Sequence, residues 1–310
     1  MHSMGGDRRT RLAARSFRLR GSFVCGLMII GLTAISVPVR ASESVREQEI
    51  FPGGWEIEFH STVLGAPRKF AIAVPPDVSR RERDWPVLFL LHGRGRTHRT
   101  LVDVESLRDA FLAAPFCTVF PQGDDGWYIN SPVQPAARYE DYLDEVIATA
   151  GRVRPLSRAR EQRAISGWSM GGYGAVRYAV RHPQDFGTVV SIIGLLDFPR
   201  PADLPEGQNY TVPVARFGAD PSRWIEFDPL HEAAALRGRA VLIITAADAF
   251  DRTMNERFHA ALRSLNIPHE YLVLPGAHKF DVVETSVPRV LEFVGRSLSI
   301  TPKPRTSEAL

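Results

Sequence analysis

One segment, Arg163-Ala164-Ile165-Ser166-Gly167-Trp168-Ser169-Met170-Gly171-Gly172 running on into YGAVRYAVR, constrains the fold more than any other. A short apolar run ends in Gly-x-Ser-x-Gly and passes directly into a helical pattern. Such a sequence predicts a strand that turns sharply into a helix with one serine at the apex. Glycines at 167 and 171 leave room for strand and helix to approach each other, while the serine is forced into an uncommon backbone conformation.

The remainder of the chain repeats the strand-then-helix plan. Short apolar runs at 86–91, 117–120, 163–166, 188–193, 240–245 and 270–274 read as buried strands, and 55–60 and 69–74 as edge strands. Helical patterns fall at 100–113, 138–150, 170–181, 252–265 and 281–298. This alternation predicts an α/β fold with a mostly parallel central sheet and helices on both faces. The stretch 198–224 is rich in proline, lacks a period, and is expected to lie as an insertion over one end of the sheet.

Residues 1–41 are of another kind. Six arginines between 8 and 20 precede an uncharged stretch from Gly21 to Val37, and Val39-Arg40-Ala41 follows. That order is expected of a signal peptide cut after Ala41, giving a secreted or periplasmic catalytic domain over 42–300 with no stable membrane insertion after cleavage. Residues 301–310 are expected to form a disordered tail. Seven of the 38 Lys and Arg and one of the 35 Asp and Glu lie in the leader, leaving 31 basic and 34 acidic residues. The pI near 9.0 therefore belongs to the leader and gives no reason to expect nucleic-acid binding. Cys117 is then the sole cysteine, and its apolar neighbours Phe116 and Val119 mark it as a buried small hydrophobe.

A serine at such a turn needs a base, and the base needs a carboxylate to orient it. The run AVLIIT ends in Ala246-Ala247-Asp248, and EYLVL ends in Pro275-Gly276-Ala277-His278. His278 is the expected base. Asp248, nearest the strand end, is the expected acid, with Asp251 as its rival three residues on. The amide of Met170 and that of Arg94, in Leu91-His92-Gly93-Arg94-Gly95, are the candidate oxyanion donors. His92 is expected to hydrogen-bond within its loop, and Trp127, Tyr128 and Trp168 are candidates for the substrate pocket. No histidine pair has metal-site spacing, and no phosphate loop or dinucleotide fingerprint is present, so neither metal nor cofactor is expected.

With these residues in view, the chain resembles the esterase family that includes tributyrin esterase, S-formylglutathione hydrolase and, more distantly, the antigen 85 mycolyltransferases. The resemblance is carried by WPVLFLLHGRG, GDDGWYIN, ISGWSMGGYGAVRYAVRHPQDF, FGADPSRWIEFDPL, ITAADAFDRTMNERFHAAL and PGAHKF. It implies an α/β-hydrolase fold, a Ser169-Asp248-His278 triad and a carboxylesterase acting on small-molecule esters through an acyl-serine; one short irregular insertion and no long apolar lid helix lead us to expect short-chain esters. Acyl transfer to an alcohol or sugar, or a silent binding protein on the same fold, are the alternatives. Arg94 stands where such proteins more often carry an apolar or aromatic residue, and His278-Lys279-Phe280 where they carry His-Asp-Trp.

Overall fold

In the computed structural model, residues 45–201 and 210–298 are described. They belong to the unit Glu43–Leu310, so the expected leader and tail lie outside the described residues.

Nine strands form one sheet in the order β1-β2-β3-β5-β4-β6-β7-β8-β9. Strands β1 (Arg46–Phe51), β2 (Gly54–Ser61) and β3 (Ala66–Ala73) are an antiparallel edge. Strands β4 (Val87–Leu91), β5 (Cys117–Pro121), β6 (Arg163–Trp168), β7 (Thr188–Ile192), β8 (Ala240–Ala246) and β9 (Glu270–Leu274) run parallel to one another. Helices α2 (Glu105–Ala113), α3 (Tyr139–Val153), α4 (Met170–Arg181), α6 (Arg252–Ser264) and α7 (Phe280–Ser297) connect them, with two short turns, α1 (Pro76–Ser79) and α5 (Val214–Phe217).

The uninterrupted apolar run of β4 is explained by cover on both faces. Val87, Phe89 and Leu91 enter one core with Tyr142 and Val146 of α3, Val176 of α4 and Phe258 of α6. Leu88 and Leu90 enter the opposite core with Phe111 of α2 and Val287, Val290 and Val294 of α7. Each such side chain, taken fully out of water, contributes about 1.5–3 kcal/mol toward folding. Cys117 is fully buried in β5, and burial pushes its thiol up to about 12.

Because β4, β6, β8 and β9 are parallel, their carboxyl ends lie along one edge of the sheet. The loops that leave Leu91, Trp168, Ala246 and Leu274 therefore gather there, which is where ligands meet sheets of this kind.

Candidate active site

Ser169 stands between the last residue of β6 and the first of α4, with φ 54° and ψ −120°. Its amide donates to the Ile192 carbonyl at 3.0 Å, and its carbonyl accepts from Tyr173 at 3.0 Å. The turn tolerates no side chain at positions 167 and 171. A Cβ on Gly171 would lie 2.2 Å from the Leu91 carbonyl oxygen, and one on Gly167 would lie 2.3 Å from that of Gly171. The close approach raises the half-buried serine above the sheet edge, at the N-terminus of the buried helix α4. Met170 opens that helix, so its N–H is a first-turn donor without an intrahelical partner.

His278, in the loop after β9, places Nε2 2.8 Å from Ser169 Oγ and Nδ1 2.6 Å from Asp251 Oδ1. A carboxylate only accepts, so the Nδ1 hydrogen is the shared one and Nε2 is left to accept from the serine hydroxyl. Asp251 is fully buried. Its second oxygen accepts from Thr245 Oγ1 and Asn255 Nδ2, each at 2.8 Å, and Asn255 Nδ2 also donates to the Gly194 carbonyl at 2.8 Å. The Phe250 ring stacks on the imidazole at 4.2 Å between centroids.

The carboxylate on His278 is thus Asp251 and not Asp248, the residue expected from its place nearest the strand end. The backbone explains the correction. Past Ala246, the amides of Ala247 and Asp248 stay paired with the Leu274 and Gly276 carbonyls, which holds Asp248 at the surface with its side chain exposed. The chain then folds back through the Ala249-to-Ala246 turn, and Asp251, the residue preceding α6, enters the interior beneath the histidine. Thr245, Phe250 and Asn255 were not singled out by sequence. Only the position of Asp251 just ahead of an amphipathic helix, where acidic residues cap helices, offered a signal.

The loop after β4 is pinned by His92, which is buried. Its Nε2 accepts the Gly123 amide at 2.8 Å and its Nδ1 donates to the Gly93 carbonyl at 2.8 Å. Burial pushes this imidazole down to about 4, so it stays neutral in the tautomer that both bonds require. The Tyr128 hydroxyl accepts the His92 amide at 3.1 Å. Arg94 reaches Asp125 and the Tyr210 hydroxyl, each at 2.9 Å, and Tyr210 stacks on Phe250 at 5.5 Å. Arg94, Tyr210, Phe250 and His278 therefore form a chain of contacts from the first loop to the base.

A cleft of about 370 Å³ opens over Ser169 and His278, with Gly93, Arg94 and Trp168 in its wall. Of the three aromatics expected in a pocket, Trp168 alone lines it. Trp127 and Tyr128 have φ of 56° and 54°, which turns both rings into the core. Trp127 stacks on Phe198 at 5.0 Å, and a Cβ on Gly174 of α4 would meet the Tyr128 ring at 2.6 Å. A larger cavity of 500 Å³ lies at the opposite ends of β4 and β6, by Val87 and Arg163, and holds no serine–histidine pair.

The mostly parallel sheet, the helices on both faces and the strand-to-helix serine define an α/β-hydrolase fold. The family model described as "Putative esterase" matches residues 61–281, and the chain belongs to that family. Esterase Rv1288 of Mycobacterium tuberculosis is 27% identical over 274 residues, covering 76% of this chain and 58% of that protein. The chain thus spans little more than half the length of this relative. S-formylglutathione hydrolase of Paracoccus denitrificans is 29% identical over 61% of this chain and 72% of its own length. Among solved structures, a fluorophosphonate-binding serine hydrolase of Staphylococcus aureus shares the fold, with TM-score 0.69 at 22% identity over 78% of this chain and 98% of that one.

Proposed function

We propose that the protein is a serine carboxylesterase whose nucleophile is Ser169. The observation that carries this reading is His278 set between two partners, 2.8 Å from the Ser169 hydroxyl and 2.6 Å from the Asp251 carboxylate. In the proposed reaction His278 Nε2 takes the hydroxyl proton as Oγ attacks the ester carbonyl. The amides of Met170 and Arg94 receive the oxyanion, His278 returns the proton to the departing alcohol, and a water activated by the same nitrogen releases the acid. Asp251 holds the Nδ1 hydrogen and stabilises the imidazolium that forms at each step.

The cleft, about 370 Å³ and walled partly by charged side chains, supports short acyl chains over long ones. The arginine-rich leader ending at Ala41 supports action outside the cytoplasm; no helix of the described residues is long and apolar enough to cross a membrane. The test is a p-nitrophenyl ester series from acetate to palmitate, run with a fluorophosphonate probe and peptide mapping. Stoichiometric labelling of Ser169 with loss of activity, and a higher kcat/KM for butyrate than for palmitate, are expected. Full activity in a labelled sample would overturn the mechanism, and a preference for palmitate would overturn the chain-length assignment.

A further inference from the structure

The cleft over Ser169 has an uneven charge. Arg94, Arg96 and Lys279 line it, and among the described residues no acidic residue does. Arg94 is compensated by Asp125, 2.9 Å away. Arg96 and Lys279 differ: among the described residues no carboxylate lies within salt-bridge distance of either. Arg96 instead lies over the ring of Phe280, 4.9 Å from its centroid, and that ring also lines the cleft. Asp281, next along the chain, is turned to the Val282 amide and is not part of the wall.

Arg96 follows the oxyanion loop, and Lys279 follows the base directly. The two cations therefore come from the two loops that meet over the reacting serine. An exposed cation alone needs no partner. Two such cations on the walls of a single cleft, neither with a carboxylate partner among the described residues, and with Trp168 and Phe280 as apolar surface beside them, make a receptor for a small anion attached to an apolar body.

Building on the esterase reading above, we infer that the substrates are esters bearing a carboxylate or similar anion a few bonds from the scissile carbonyl. Arg96 and Lys279 are then the residues that select them. Two exposed cations on the walls of one cleft favour a bound monoanion by roughly 5- to 10-fold at low salt. The preference should fade as the Debye length shrinks to about 3 Å near 1 M salt.

The experiment compares matched pairs on the wild-type chain. Monomethyl succinate against methyl butyrate puts the charge on the acyl side, and O-butyrylglycolate against ethyl butyrate puts it on the alcohol side. The charged member of at least one pair should show a kcat/KM 5- to 10-fold higher at 20 mM salt and near parity at 1 M; which pair does so assigns the side. Arg96→Gln with Lys279→Gln should bring that ratio to about one. Arg96→Glu with Lys279→Glu should invert it, and Arg96→Lys with Lys279→Arg should keep it. Equal rates within both pairs, or a ratio that survives charge reversal, would overturn the inference while leaving hydrolysis of the neutral esters, and so the esterase reading, intact. If none of the four esters is cleaved while p-nitrophenyl butyrate is, the inference fails and the esterase reading stands; if p-nitrophenyl butyrate is not cleaved either, both fail.

Discussion

His278 and Asp251, 27 positions apart, share a hydrogen bond of 2.6 Å between Nδ1 and Oδ1, while Asp248 stands exposed at the end of the neighbouring strand. The bond ties the loop after β9 to the start of α6. It fixes one tautomer of the imidazole and leaves the other nitrogen facing the serine.

Asp251→Asn should lower kcat by about 10³–10⁴-fold, because an amide in place of the carboxylate stabilises the wrong tautomer. Asp248→Asn should remain within about 2-fold of wild type, as expected of an exposed surface change. Esterase assays on both variants decide it, and the opposite ranking would return the role to Asp248.

Ser169→Ala and His278→Ala should each lower kcat by roughly 10⁴–10⁶-fold, or about 5–8 kcal/mol of transition-state stabilisation. The double variant should be little worse than either single one, since the groups act as a unit. Losses that multiply would mean that serine and histidine act independently.

The strained backbone of Ser169 has its own signature. Glycine accepts a φ of 54° at little cost, so Ser169→Gly should abolish activity yet gain about 1 kcal/mol of stability. Chemical denaturation of the purified variant reads this directly. A large loss of stability would show that the turn is held by the serine side chain.

His92 gives a pH dependence whose sign follows from its direction of shift. Folding lowers this imidazole from 6.5 to about 4, so the neutral form is the one the native state favours. The associated stability is complete above about pH 6.5 and is lost as pH falls toward 4, by up to roughly 3 kcal/mol. Protonation would place a hydrogen on the nitrogen that accepts from Gly123. In His92→Gln, which cannot titrate, the stability difference from wild type should shrink across that window; a difference that is flat with pH would remove His92 as the cause.

The leader yields a simpler expectation. Protein recovered from the native host should begin at Ser42 and lie outside the cytoplasm, as N-terminal sequencing would determine. An intact Arg-rich terminus on exported protein would point to an anchor instead.

How far the sequence reached depended on the kind of force at each position. The strands β4 and β8 were legible because their residues are buried on both faces, which leaves an unbroken apolar run as the record. Strand β1, REQEIF, is mostly exposed, and four of its six side chains are polar or charged, so no apolar run records it. Ser169 and His278 were legible from the turns that hold them. The acid was not, because three residues of loop reverse the order of depth, leaving Asp248 outside and Asp251 within. Trp127 and Tyr128 were misplaced for a similar reason: their positive φ decides which way they face, and neither is a glycine or asparagine that would announce it.

Cys117 carries a consequence for how this molecule can be watched. Its strand, β5, lies between β3 and β4, and the thiol is fully buried with its ionisation pushed up to about 12. Alkylating reagents meet a thiolate only when this part of the sheet comes apart. In the chain from Ser42 onward, the rate of maleimide labelling thus becomes a clock for rare opening of the sheet centre, without an engineered reporter. With no second cysteine in residues 42–310, maturation outside the cell would also need no oxidase, and reducing agents should leave the enzyme's activity unchanged.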